Sequence, residues 1–196
     1  MVATHTREAH THKAFADIVR HFTAGETTEE PTPRRRPAAV VITAGLTRIA
    51  VGWVFLWAFL DKTFGLGFAT PSEGAWLEGG SPTTGFLEHA DGTFAGFFNS
   101  MAGQAWADWL FMAGLLGIGV ALMLGIAMNI ASASGALLLV LMWAAELPLE
   151  NNPFMDDHLV YAGVLALLAL LGAGRYLGLG AHWERLPIVR KSAILR

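Results

Sequence analysis

The chain has 196 residues, of which 54% are hydrophobic and 15% are charged, and its formal net charge is −3. It contains no cysteine, which excludes disulfides, iron–sulfur clusters and thiolate metal sites made from its own residues. No nucleotide-binding loop, Ser–His–Asp order or nucleic-acid-binding patch is present. The apolar residues occur in blocks, which is typical of an integral membrane protein.

Residues 1–37 are polar and are predicted to form a cytoplasmic tail. They contain no apolar segment of the kind found in a signal peptide, so we expect the first hydrophobic helix to be retained. Their histidines lack a spacing diagnostic of metal ligands, and no metal site is predicted. One short amphipathic helix, suited to the membrane surface or to a groove on a partner, is predicted from apolar residues at i, i+3, i+4 and i+7: Phe15, Ile18, Val19 and Phe22.

Four apolar segments follow, and each is expected to cross the bilayer as a helix. They cover residues 38–60, 109–130, 134–147 and 158–177. The sequence therefore predicts an all-α integral membrane protein, with a four-transmembrane-helix bundle over residues 38–180. Residues 181–196 are predicted to form a basic cytoplasmic C-terminal tail.

The orientation is predicted from the distribution of basic residues. Residues 1–37 carry six lysines and arginines and residues 175–196 carry five, whereas the loop of residues 61–108 has one lysine and six acidic residues. The loop between the last two spans has four acidic residues and no basic one. We therefore expect a multi-pass protein of a bacterial plasma membrane with its N- and C-termini in the cytoplasm.

The loop of residues 61–108 is too long for a simple connection and is predicted to fold into short interfacial helices. The sequence leaves two alternatives: these helices are buried against the bundle, or they form a lid over a lipid-accessible cavity. A periodic apolar pattern in the loop comprises Phe94, Phe97, Phe98 and Met101.

The second predicted span carries a small residue at every fourth position. Such a ridge allows close packing of another helix, from this chain or from a partner. The ridge consists of Ala113, Gly117, Ala121 and Gly125.

Three basic or titratable residues are candidate contacts for a quinone or a lipid: Arg48, Lys62 and His158. Arg48 lies ten residues into the first span, near mid-bilayer by helical rise, where a charge is costly. It either snorkels to the inner headgroups or donates hydrogen bonds to a quinone carbonyl, an anionic lipid or an acid on another subunit. Lys62, the only outer base among many acids, is expected to be paired, and His158 beside Asp157 is suited to proton exchange. No catalytic residue is assigned, and no histidine lies deep enough in a span to ligate a haem.

The chain resembles the DoxX/DoxD family of small four-helix membrane proteins over residues 40–186. The resemblance rests on Arg-Ile-Ala-Val-Gly-Trp-Val-Phe-Leu at 48–56, Asp-Lys at 61–62, Gly-Gly-Ser-Pro-Thr at 79–83, Asp-His-Leu-Val-Tyr-Ala at 157–162, Gly-Ala-Gly-Arg at 172–175 and Leu-Gly-Leu-Gly at 177–180. It implies a four-helix bundle and an association with quinone-linked oxidation, including the membrane part of thiosulfate:quinone oxidoreductase.

The expected function is therefore that of an accessory or structural membrane subunit of a quinone-linked oxidoreductase or respiratory-chain assembly. Its expected partners are the bilayer and other membrane subunits, with quinone as the only candidate cofactor. One alternative is an enzyme, the thiosulfate:quinone oxidoreductase membrane subunit. A small-molecule transporter is disfavoured, because no span has the Gly/Pro interruption typical of a mid-membrane substrate site.

Overall fold

The computed structural model describes residues 36–90 and 92–196, and every regular element within them is helical. The predicted amphipathic helix of residues 15–22 lies outside this part of the chain. Three helices are long and apolar enough to cross a membrane. The first, α1, is Ala38–Phe64, and it ends where Gly65 adopts a left-handed φ of 61°.

The long loop after α1 contains short helical segments, as predicted. It carries two 3₁₀ turns, Ser72–Gly74 and Trp76–Glu78, followed by helices α2 (Thr84–Glu88) and α3 (Ala95–Asn99). Phe98 and Leu87 pack together in a small apolar cluster with Ala145. These contacts favour burial of the loop against the rest of the fold.

The second long helix, α4, is Ala105–Leu124, and the third, α5, is Met128–Ala145. The predicted second span extends to residue 130, but α4 ends six residues earlier because Gly125 adopts a φ of 74°. Consequently the reversal between the two helices lies at residues 125–127, and α5 begins before the predicted residue 134.

The fourth predicted segment forms a shorter helix, α6, over Asp157–Leu170. Its 14 residues correspond to a length of about 21 Å, less than the 30 Å of a hydrocarbon core. The helix was predicted to continue to residue 177, but Gly172 has a φ of 62° and is followed by a 3₁₀ turn, Ala173–Arg175.

Antiparallel packing of α1 against α4 brings two pairs of backbone segments close together. A Cβ at Gly52 would lie 2.9 Å from the backbone nitrogen of Met123, and one at Gly119 would lie 2.7 Å from that of Leu56. Helix α6 packs on α5, and the apolar core between the long helices includes Phe55, Met112, Leu122 and Leu165.

The C-terminal residues fold into short segments beside the N-terminal end of α5. These are α7 (Gly180–Trp183), α8 (Pro187–Arg190) and a 3₁₀ turn, Ala193–Leu195. The Asn129 side chain donates to the carbonyl oxygen of Ala193 at 2.8 Å, and its backbone N–H donates to that of Arg196 at 2.8 Å. We call this end of the fold, which includes residues 171–196, the basic end, and the opposite end, with residues 61–104 and 146–156, the acidic end.

Candidate functional site

Arg48 is completely buried and bonds to four backbone carbonyl oxygens. Its Nη1 atom donates to the carbonyl oxygens of Leu122 and, at 3.0 Å, Met123. Its Nη2 atom donates to those of Tyr176 and Leu177, each at 3.0 Å. The guanidinium therefore joins α1 to the end of α4 and to the segment that follows α6.

These bonds complete the hydrogen bonding of the last turn of α4. The final four carbonyls of an α-helix have no partner within the helix and need one elsewhere when they are buried. The carbonyl of Ala121 accepts from the N–H of Gly125 at 2.8 Å, and that of Leu124 accepts from the N–H of Leu179 at 2.8 Å. Arg48 supplies the donors for the two carbonyls between them, and its positive charge complements the negative end of the helix dipole.

Glycines allow this close approach of backbone segments at the basic end. A Cβ at Gly125 would lie 2.6 Å from the carbonyl oxygen of Gly174, and one at Gly178 would lie 2.8 Å from Arg48 Nη2. Leu177, whose carbonyl accepts from Arg48, has a φ of 52°, which is rare for a residue with a side chain. The motifs at residues 48–56, 172–175 and 177–180 thus meet at one place.

Arg48 lies beside the last turn of α4, whereas helical rise along α1 predicts a position near mid-bilayer. The difference arises because α1 extends about ten residues beyond the end of α4. Within the described residues the Nε atom of Arg48 has no hydrogen-bond partner. Snorkelling to the surface is not observed, since the side chain is enclosed by the chain's own backbone. Its assignment as a quinone or lipid contact stays a prediction.

Two buried carboxylates at the acidic end bond to nearby loop residues. Asp61, which is 2% exposed, accepts from the backbone N–H groups of Phe68 and Ala69 at 3.3 and 3.1 Å. Asp108 accepts from the Ser81 hydroxyl at 2.8 Å and from the Thr83 hydroxyl at 2.6 Å. Each carboxylate holds part of the long loop against a long helix.

Lys62 lies one residue after Asp61 but forms no ion pair within the described residues. Its ammonium lies over the ring of Phe111, 5.9 Å from the ring centroid. The expectation that Lys62 is paired with an acid therefore stays a prediction. Its exposure is intermediate, and its contact with quinone or lipid stays a prediction.

The structure places His158 next to Glu146 and Asp156. The Nδ1 atom of His158 lies 2.7 Å from Asp156 Oδ2, 3.6 Å from Glu146 Oε2 and 3.7 Å from Asp157 Oδ1. The hydrogen-bonded partner of His158 is thus Asp156 and not Asp157, its neighbour in the sequence. Asp156 is the N-cap of α6 and folds back over the first turn, while the Asp157 side chain is 76% exposed.

The cluster of Glu146, Asp156 and His158 affects the ionisation of Glu146. Partial burial raises the pKa of Glu146, the neighbouring His158 opposes this rise, and the charges of Asp156 and Asp157 add to it. Asp61 and Asp108 lie outside this cluster, and each is hydrogen-bonded to residues of the long loop.

The residues of the predicted small-residue ridge on α4 do not share one contact surface. Gly125 lies in the Arg48 site, whereas Ala113 and Gly117 are exposed and a Cβ at Gly117 would meet nothing within 4 Å. Packing of α4 against α1 uses Gly119 instead. The exposed members of the ridge, Ala113 and Gly117, form what we call the open face of α4.

No protein-family model matches the chain, and comparisons with curated proteins and with solved structures find no match.

Proposed function

We propose that this chain is a DoxX-type membrane subunit of a quinone-linked oxidoreductase or respiratory-chain assembly, with an accessory role. The observation that carries the proposal is that Arg48, Asp61 and Asp108, its buried charged residues in the described part, all bond to groups of the same chain. Buried charges that serve catalysis face a pocket where a substrate is held. Here each one stabilises a helix end or a loop, as expected of a structural subunit.

The positions of the DoxX-like motifs support the resemblance. Arg48 meets the motifs at 172–180, and Ser81 and Thr83 of the motif at 79–83 bond to Asp108. These motifs are far apart in the sequence but in contact in the structure. Such residues are the ones that proteins of the same fold need to keep. We therefore retain the family assignment as part of the proposal.

We further propose that the segment from α6 to Leu177 is the fourth membrane span. His158, near the start of this segment, lies beside Glu146 at the end of α5. Leu177, at its end, is joined through Arg48 to the last turn of α4. The segment therefore extends from one end of the long helices to the other, although its last residues are not α-helical.

Four spans would place both termini on the same side. The basic end carries Arg175, Arg185, Arg190, Lys191 and Arg196. By the positive-inside rule we assign this end to the cytoplasm of a bacterial plasma membrane and the acidic end to the outer surface.

Partner subunits are expected to contact lipid-facing surfaces such as the open face of α4. Small residues in a membrane helix permit close packing by a second helix. Purification of the full chain in mild detergent should therefore recover further subunits that carry redox centres, detected by mass spectrometry and by visible absorption. A monodisperse chain without other subunits would contradict the proposal.

A matched pair of variants tests whether a partner uses the open face. Gly117 on α4 and Gly163 on α6 both have open space at the Cβ position. If the partner docks on α4, Gly117→Leu should abolish co-purification and Gly163→Leu should preserve it. Retention of the partner by both variants would place the docking surface elsewhere.

The alternative function, the membrane subunit of thiosulfate:quinone oxidoreductase, is favoured by the His158–Asp156 pair. A histidine hydrogen-bonded to a carboxylate is a suitable proton donor to a quinone that is being reduced. This alternative requires thiosulfate-dependent quinone reduction by membranes that contain the chain, with a large loss in the His158→Ala variant. Arg48→Ala tests the quinone contact in the same assay, and full activity of a folded Arg48→Ala protein would remove Arg48 from the site.

A further inference from the structure

Three potential metal ligands converge where α5 ends and α6 begins. Glu146 follows the last residue of α5, Asp156 is the N-cap of α6, and His158 lies in the first turn of α6. One oxygen or nitrogen from each residue lies within 4.8 Å of the other two. The 13% exposure of the Asp156 side chain and the 15% exposure of the His158 side chain limit their freedom to point elsewhere.

The distances fit a single small cation. Ligands about 2.1 Å from a metal ion in tetrahedral geometry are about 3.4 Å apart. The Nδ1 atom of His158 lies 2.7 Å from Asp156 Oδ2 and 3.6 Å from Glu146 Oε2. The 3.6 Å separation already lies near the ideal value, whereas the 2.7 Å separation is a hydrogen bond whose proton the metal would displace, so that this pair must move apart on binding.

Two of the three ligands, Asp156 and His158, are oriented before an ion arrives. Asp156 uses its Oδ1 atom to accept the backbone N–H of Leu159 at 3.1 Å, which leaves Oδ2 directed at His158. Glu146 lies too far from His158 Nδ1 for a hydrogen bond. Within the described residues the Glu146 carboxylate has no hydrogen-bond donor, so its charge is available to a cation.

The charges around the cluster also favour a cation. Three carboxylates lie within 3.7 Å of the His158 Nδ1 atom, and no ion pair joins them to a lysine or arginine in residues 36–90 and 92–196. A histidine that ligates a metal is neutral, so the imidazole would offset none of these three negative charges once an ion is bound. A divalent ion would neutralise two of them, which makes its binding electrostatically favourable.

We propose that Glu146, Asp156 and His158 bind one divalent transition-metal ion at the acidic end of the fold. One imidazole nitrogen and two carboxylate oxygens suit Zn²⁺, Co²⁺ or Mn²⁺ better than Mg²⁺ or Ca²⁺, which prefer all-oxygen ligands. The sequence pattern predicts no metal site, because the turn between α5 and α6 separates Glu146 from the other two ligands. The site is independent of the accessory role proposed above, since it would hold together the ends of α5 and α6 in any assembly. It competes with the alternative enzyme function, because the metal would occupy the His158–Asp156 pair.

Titration of the purified, chelator-treated full chain with Co²⁺ tests the site, because protein-bound Co²⁺ has visible absorption bands that report its ligand geometry. We expect saturation at about one equivalent per chain, displacement by Zn²⁺ and no displacement by a large excess of Mg²⁺. The same Zn²⁺ addition should raise the thermal unfolding midpoint of the chain, because an ion that binds only the folded state stabilises it. Failure to saturate with Co²⁺ would overturn the proposal.

Three variants distinguish Co²⁺ binding by defined ligands from nonspecific electrostatic attraction of the ion to the acidic loop. Asp156→Asn keeps an N-cap, since asparagine caps helices as well as aspartate does, and should weaken Co²⁺ binding at least about tenfold. His158→Ala should weaken it as much and abolish the visible bands. Glu150→Gln removes the same charge from an exposed residue of the same loop and should change the affinity less than about twofold. Equal weakening by Glu150→Gln and Asp156→Asn would refute the site, and Asp156→Asn decides the question if His158→Ala does not fold.

Discussion

The Nη2 atom of Arg48 lies 3.0 Å from the carbonyl oxygen of Leu177, a residue 129 positions later in the chain. The same guanidinium bonds to the last turn of α4. A single side chain thus holds three segments together at the basic end, and this is a place where one substitution should affect the whole fold.

Replacement of Arg48 by methionine removes the donors to four carbonyls, of which that of Leu122 is in a buried bond and the others are in partly buried bonds. Each carbonyl left without a partner costs roughly 1–3 kcal/mol, so we expect a total loss of at least about 3 kcal/mol of unfolding free energy. The unfolding free energy of Arg48→Lys should lie between those of the wild type and Arg48→Met, because an ammonium cannot reproduce the fork of the guanidinium. Unfolding by SDS in mixed micelles measures the loss.

Arg185→Met is the matched control for Arg48→Met, since Arg185 is an exposed arginine of the basic end. Its unfolding free energy should stay within about 0.5 kcal/mol of that of the wild type. Equal stability of Arg48→Met and Arg185→Met would show that the bonds to the carbonyls contribute little.

Two glycines of α4 that lie two residues apart should respond in opposite ways to alanine. A Cβ at Gly119 would lie 2.7 Å from the backbone nitrogen of Leu56, whereas one at Gly117 meets open space. We expect Gly119→Ala to destabilise the isolated chain by about 1–3 kcal/mol and Gly117→Ala to stabilise it by up to about 1 kcal/mol. The same SDS titration distinguishes them, and a stable Gly119→Ala would argue against the packing of α1 on α4.

Removal of the Asp108 carboxylate should release the long loop. Asp108 accepts from Ser81 and Thr83 within this loop, and burial of its partners without an acceptor costs about 1–3 kcal/mol. We expect Asp108→Ala to accelerate proteolysis and hydrogen exchange in residues 79–90, with little change in the basic end. Glu88→Ala, which alters an exposed acid of the same loop, should leave both rates unchanged. Uniform acceleration over the whole chain would indicate global destabilisation instead.

The absence of native cysteine allows the fourth span to be tested with single introduced cysteines. If the segment from α6 to Leu177 crosses the membrane, Asn151→Cys and His182→Cys should react with an impermeant maleimide from opposite sides. Ser100→Cys, in the long loop, should react from the same side as Asn151→Cys. Reaction of the Asn151 and His182 positions from one side would rule out a fourth crossing.

The sequence alone determined the membrane-protein class, the positions of the apolar helices and the separation of acidic from basic segments. These properties depend on the composition of blocks of about 20 residues, and that composition can be read directly from the sequence. Helix ends were less predictable, because Gly125 and Gly172 ended α4 and α6 through left-handed backbone conformations within apolar sequence.

Only the tertiary structure decided the partners of the charged residues. Arg48 bonds to backbone carbonyls, which every residue possesses and which therefore leave no signature in sequence. His158 bonds to Asp156 because the N-cap side chain folds back over the helix, while Asp157 turns outward. Likewise, the small residues of α4 form a periodic pattern, but whether that pattern faces α1 or the exterior depends on the rotation of the packed helix.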